Sequence, residues 1–206
     1  MNHRDILRIF RVPPTLESER LVLRMMDVKD SRDMFDYSAR EDVTRYLLWS
    51  PHPDISYTKD YIKSVRRHYR RGDFFDWSIV LKSDRRMIGT VGYTRIDTPN
   101  NCGEIGYVLN PEYQNMGYAT EAASLVVEFG FATLGLNRIE AKYMSENTAS
   151  RRVMEKVGMS FEGTMKERLL VKGKYRDISC CAITRKEYDE KKERKNRDKS
   201  DNGGKL

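Results

Sequence analysis

Residues 105–109 of this 206-residue chain form an apolar run, Ile-Gly-Tyr-Val-Leu, closed by the turn pair Asn110-Pro111. Gln114-Asn115-Met116-Gly117-Tyr118-Ala119 comes next, and Thr120 opens a strong helical pattern through Phe129. A strand, a short loop with one glycine and a small residue two places on, and a helix are thus set end to end. A helix start has backbone N–H groups without intrahelical partners and carries the positive end of the macrodipole. Small residues there let a pyrophosphate sit against the backbone. The turn is therefore expected to hold a phosphate-bearing cofactor.

Two common phosphate loops do not fit. The dinucleotide fingerprint needs three glycines in G-x-G-x-x-G, and this loop has one of them. The P-loop pattern G-x-x-x-x-G-K-S/T is absent. What fits is Q/R-x-x-G-x-G/A, occupied here by Gln114, Gly117 and Ala119. It resembles the pyrophosphate loop of the GCN5-related N-acetyltransferases. A second block strengthens the resemblance. Asn147-Thr148-Ala149-Ser150, running on to Gly158-Met159, is similar to that family's N-x-x-S/A…G-F helix and follows after one strand, 138–144. The resemblance spans roughly residues 15–185. It is strongest toward the Rim-type branch, whose members acetylate N-terminal amines of ribosomal proteins.

Composition bounds the rest. The length suits one domain with a sizeable core. No apolar run approaches the roughly 18 residues of a membrane span, and the start, Met1-Asn2-His3-Arg4-Asp5, lacks a signal-peptide core. No membrane partner is expected. The three cysteines, two of them adjacent at Cys180-Cys181, make a poor disulfide framework, so a reducing cytoplasm is expected. No cysteine or histidine spacing suggests a metal site. Net charge is +7, of which the segment from Arg185 onward contributes nine basic against six acidic residues. A basic excess of this size suits an anionic cofactor or ribosomal RNA nearby, and is also ordinary.

Local signals give the element order. Ile6, Leu7 and Phe10 make residues 1–14 an amphipathic extension, ended by Pro13-Pro14. A strand is expected at 20–24, and a helix capped by Asp27 through Arg40. A second helix is expected to be capped by Ser56 and ended by Gly72. Strands near 75–82, 86–96 and 103–109, helix 118–134, strand 138–144 and helix 148–157 follow. A hairpin of 160–171 with 175–184 closes the series. The last residues, 186–206, read as a charged tail, a frayed helix running into disorder. The order implies an α/β (mixed α+β) fold: residues 15–185 form one mixed sheet with helices on both faces. The family resemblance adds that the sheet is mostly antiparallel, with 103–109 and 138–144 parallel and splayed so that the pantetheine arm enters between them.

Acetyl transfer to an amine needs a proton acceptor, donors for the developing oxyanion and a partner for the leaving thiolate. Glu104, on the strand leading to the loop, is the candidate base; the alternative is a solvated charge at a strand edge. By the resemblance, backbone near Val108 or Leu109 supplies the oxyanion donor, and Tyr107, Val108 and Leu109 face the pantetheine. Gln114, Asn115, Met116, Gly117, Tyr118, Ala119 and Thr120 are the candidate pyrophosphate contacts. Asn147 can cap its helix, bond the pantetheine, or do both. Many family members place a tyrosine seven residues after that asparagine. Met154 stands there in this chain, and Ser150 becomes the candidate thiolate partner. Trp49 and Trp77 are taken as substrate walls. The run from Arg66 to Arg71 is a solvated helix face or a guide for an acidic peptide or RNA.

The resemblance implies acetyl-CoA as co-substrate, no metal, and a protein N-terminus as acceptor. Ribosome association and a monomer or homodimer accompany that reading. A small-molecule amine acceptor stays open; a polycation would need an acidic pocket, and Asp73, Asp76 and Asp97 do not cluster in sequence. A CoA-binding module without turnover also stays open.

Overall fold

The computed structural model describes residues 2–203. Eight strands form one sheet: β1 (Leu16–Glu17), β2 (Leu21–Arg24), β3 (Asp76–Leu81), β4 (Met87–Asp97), β5 (Cys102–Leu109), β6 (Arg138–Met144), β7 (Ser160–Val171) and β8 (Lys174–Thr184). Their spatial order is β1-β2-β3-β4-β5-β6-β8-β7. Neighbours are antiparallel except β5 and β6, which run parallel through Cys102↔Arg138, Gly103↔Ile139 and Glu104↔Glu140 and then part.

Helices cover both faces. Alternation along β3 shows why. Trp77, Ile79 and Leu81 point into one core, with α1 (His3–Arg11) and α5 (Tyr118–Ala132) packed over them. Val80 points the other way, into a second core with Met34 and Tyr37 of α2 (Ser31–Ser38) and Ile62, Val65 and Tyr69 of α4 (Ile55–Arg71). The first fourteen residues contribute Ile6 and Phe10, both buried in the main core. Phe10 meets Phe75, Trp77 and Phe129 edge-on, with ring centroids 4.8–6.1 Å apart.

Several boundaries differ from the sequence expectation. Asp27 and Asp30 form a capping box, but it starts a short 3-10 turn (Val28–Asp30); α2 ends at Ser38, and α3 (Glu41–Thr44) is separate. The cap of α4 is Asp54, whose extended backbone lets its carboxylate accept from Tyr57 N–H; Ser56 lies inside the first turn. Gly72 ends α4 as expected. The hairpin turns at Lys172-Gly173, both with positive φ. The charged tail forms α7 (Arg185–Gly203). It starts docked on α5: Tyr188 stacks on Phe131 at 4.6 Å, and Arg185 donates to the Phe131 carbonyl. Residues 204–206 lie outside the described residues.

Candidate active site

Where β5 and β6 part, a cavity of about 980 Å³ opens on the α2/α4 side of the sheet. It brings together Glu104, Tyr107, Val108, Asn147, Ser150 and Trp49 of the sequence candidates. Leu109 and the segment 114–120 lie outside its lining; they form the next stretch of chain, leading into α5.

Glu104 sits at the last paired position of β5 and β6. Its Oε2 pairs with Lys142 Nζ at 2.5 Å, and its Oε1 accepts from Thr94 Oγ1 at 3.1 Å. Lys142 also pairs with Glu140 at 3.0 Å. Burial pushes its ammonium down, but the hydrogen bonds to Glu104 and Glu140 outweigh this and hold it above the ordinary lysine value. The carboxylate is therefore a fixed group rather than a solvated strand-edge charge.

Asn147 caps α6 (Thr148–Lys156), its side-chain oxygen accepting from Ser150 N–H at 3.1 Å. Among the described residues the amide NH₂ has no hydrogen-bond partner. Tyr107 crosses from β5 and donates its hydroxyl to the Ser150 carbonyl at 2.8 Å, with Ser150 Oγ 3.0 Å away. Burial raises the phenol's pKa, so it stays protonated at neutral pH. Met154 is buried, packed in the main core and reaching the cavity lining. The chain thus brings a phenol to the serine from the strand instead of from the helix. Sequence reading placed Tyr107 among the cofactor contacts and missed this bond, which joins positions 43 apart.

The loop before α5 is shaped from the far side. Asn115 and Gly117 both have positive φ, 61° and 84°, a conformation glycine adopts freely. Arg20 donates to the Met116 carbonyl at 3.0 Å, pairs with Glu121 at 2.5 Å and lies over the Tyr118 ring at 4.4 Å. The Met116 carbonyl is thus turned toward Arg20. The N–H groups of the first turn of α5 remain without intrahelical partners.

Of the two tryptophans, Trp49 lines the cavity, 5.3 Å from the His52 ring. Trp77 does not. It is fully buried on the opposite face of the sheet, and its Nε1 donates to the Pro14 carbonyl at 2.8 Å. Strand alternation aims it at α1 and Phe129.

The cavity has residues that sequence reasoning passed over. His52 Nδ1 lies 2.9 Å from Ser38 Oγ and 2.8 Å from Thr58 Oγ1, and burial lowers its pKa, so the ring is neutral at physiological pH. Tyr37 and Tyr61 also line the space. Of the three acids weighed above, Asp73 pairs with His68 and Arg71, and Asp97 accepts from Asn100. Asp76 alone enters the cavity. Its carboxyl is pushed up to about 7 by burial.

Among the described residues, no group of three or more His, Cys, Asp or Glu is placed to hold a metal. No described helix is long and apolar enough to cross a membrane.

A family model described as an acetyltransferase (GNAT) domain matches residues 20–160. An uncharacterised N-acetyltransferase, p20, of Bacillus licheniformis is 34% identical over 84% of this chain and 98% of its own length. The crystal structure of a GNAT-family acetyltransferase from Bacillus anthracis superposes with a TM-score of 0.75 at 29% identity, covering 84% of this chain and 99% of that one. Two Escherichia coli relatives are named for their acceptors. A spermidine N(1)-acetyltransferase is 26% identical over 81% of this chain and 87% of its own. A [ribosomal protein uS5]-alanine N-acetyltransferase is 25% identical over 82% and 90%.

Proposed function

The chain belongs to the acetyltransferase (GNAT) family, and from that premise we propose that it transfers the acetyl group of acetyl-CoA directly to a primary amine held in the cavity. The observation that carries this reading is the convergence of Glu104, Tyr107, Asn147 and Ser150 where β5 and β6 part. Acetyl-CoA is the family's acyl donor, and the segment from Gln114 to Thr120, which ends in the unpaired N–H groups of the first turn of α5, suits its pyrophosphate.

In this scheme the amine nitrogen forms a bond to the acetyl carbon and the carbon–sulfur bond breaks. The nitrogen's proton goes to Glu104, directly or through a water. An α-amino group titrates near 7.7–8.0, so a carboxylate held in place is sufficient. Backbone at Val108 and Leu109, paired with β4 but beyond the reach of β6, is the candidate donor to the oxyanion. Ser150 Oγ–H, 3.0 Å from the Tyr107 hydroxyl oxygen, is the candidate donor to the sulfur and would turn from that oxygen to the thiolate as it forms.

Our first reading of the acceptor is a protein N-terminal α-amine, ribosomal proteins included. The support is the relative named for the uS5 alanine, and the +7 net charge suits work near RNA. A small-molecule amine is the second reading. A specific observation favours it: Asp76, whose carboxylate has no side-chain partner among the described residues, in an aromatic-walled cavity. We place the protein in the cytoplasm, where Cys102, Cys180 and Cys181 would stay as free thiols. The deciding experiment is incubation with acetyl-CoA and a whole-cell extract, followed by mass spectrometry. Acetylated N-termini support the first reading and acetylated small amines the second. No acetylated product and no thiol release would refute both.

A further inference from the structure

The cavity holds an acid that the scheme above does not use. Asp76 opens β3 and is partly exposed to the cavity. Among the described residues its carboxylate has no ion pair and no side-chain hydrogen bond; its backbone carbonyl accepts from Tyr69 at 2.7 Å. Buried or half-buried carboxylates are normally paired, because removing the charge from water without a partner is costly. The Tyr37 hydroxyl, in the same lining, is buried and also without a partner. Two polar groups in one wall therefore have unmet capacity.

The sheet makes room for the carboxylate. Asp76 is in register with Gly92 of β4, and Gly92 with Gly106 of β5. A Cβ on Gly92 would stand 2.3 Å from Asp76 Oδ1 and 2.2 Å from the Phe75 carbonyl, so only glycine admits the carboxylate there. The Asp76 carboxylate lies over Gly92, and Gly106, with the Thr94 methyl beside it, is the cavity-lining position next toward the β5–β6 opening. Two strand spacings put Asp76 roughly 10 Å from that strand.

The charge balance points the same way. The charged or titrating side chains in the lining, tyrosines aside, are Asp76, Glu104, Lys142 and His52. Lys142 is committed to Glu104 and Glu140, and His52 is neutral. The rings of Trp49, Tyr57 and Tyr61 cluster around His52, with centroids 4.9–5.7 Å away, and supply π faces on the same side.

We propose that Asp76, with the Tyr37 hydroxyl and the Tyr61 ring, forms a subsite that binds a positively charged group of the acceptor other than the amine that is acetylated. The acceptor class is then a small amine with a second cationic centre, lying in the cavity between Asp76 and the β5–β6 opening. Burial has pushed the Asp76 carboxyl up to about 7, and an arriving cation would restore its charge. The subsite rests on the second acceptor reading, acetyl transfer to a small-molecule amine, for its role, but its binding can be measured apart from turnover.

The test compares terminal diaminoalkanes with n-alkylamines of matched length, reading thiol release from acetyl-CoA. Wild type should favour the diamines in kcat/KM by roughly 10- to 100-fold, as for a desolvated charge pair. Asp76→Asn should reduce that preference to about 3-fold or less, and Tyr37→Phe should reduce it by a smaller factor. Thermal melting should show both variants folded. Equal use of diamines and monoamines by wild type, or a preference that survives in Asp76→Asn, would overturn the subsite. If no probe amine releases thiol, acetyl transfer to small amines fails as a reading, and calorimetric titration of the diamines decides the subsite alone. Saturable binding by wild type that is lost in Asp76→Asn supports it; absent or unchanged binding refutes it.

Discussion

Lys142 Nζ lies 2.5 Å from Glu104 Oε2, and the pair joins the last paired residues of β5 to the strand that turns away from them. The candidate base is thereby held at the mouth of the opening rather than left to sample rotamers. Glu104→Gln should lower kcat/KM by about 10²–10⁴-fold, the usual worth of a general base. Part of the loss should return at high pH, where the amine deprotonates unaided. Lys142→Met should cost less, because the carboxylate survives but loses its anchor. Steady-state profiles across pH for the three proteins check this. Wild-type rates in Glu104→Gln at neutral pH would move the base elsewhere.

Ser150 and Tyr107 should behave as a unit. Removing a hydrogen bond to a charged group costs about 1.5–3 kcal/mol, so Ser150→Ala should slow the chemical step roughly 10- to 150-fold. Tyr107→Phe should slow it too, and the double variant should lose less than the two losses combined. Met154→Ala should act on stability, since Met154 is 2% exposed and packs in the core; burial of this kind is worth about 2–5 kcal/mol. Single-turnover rates at saturating acetyl-CoA, with thermal melts, separate these effects.

Gly117→Val tests the pyrophosphate loop. Its φ of 84° strains any β-branched residue, and its Cβ would come 3.3 Å from Arg20 Nη2. CoA affinity by calorimetry should fall at least about 10-fold while circular dichroism stays native. Unchanged affinity would move the phosphates away from α5.

Asp76 has a stability cost with a defined sign. Its carboxyl titrates near 3.8 when unperturbed and near 7 in the fold. Between those values the folded chain keeps a proton that the unfolded chain has lost, so stability falls as pH rises from about 4 to about 7 and then levels. At about 1.4 kcal/mol per unit, the penalty is at most about 4 kcal/mol. Asp76→Asn should melt higher than wild type at pH 8, with the gap closing toward pH 4. A melting gap that does not change with pH would show that Asp76 is not held away from its charged form.

Much of this was legible in the chain. The strand–loop–helix around Gly117 and the Asn147–Ser150 helix start announce themselves because caps and turns depend on neighbours in sequence. Trp77 and Asp76 were not legible for the opposite reason. Alternation says that adjacent strand residues face opposite sides, but not which side is core and which is cavity. That is decided by which helices cover each face, and so the tryptophan assigned to the substrate wall packs on Phe10 while the acid beside it enters the site. The Tyr107–Ser150 bond was invisible because it depends on how far β5 and β6 diverge.

The three paired positions of β5 and β6 also make a mechanical statement. β6 and β8 pair at seven positions, so apart from the two-residue edge strand β1 the sheet is joined least between its first five strands and its last three. Such a seam can open and close by small changes in backbone twist, with each half staying rigid. A ligand spanning it would act as a rivet. Amide hydrogen exchange on β5 and β6 should therefore slow when CoA binds, while the β7–β8 hairpin, which lies away from the seam, should exchange as before.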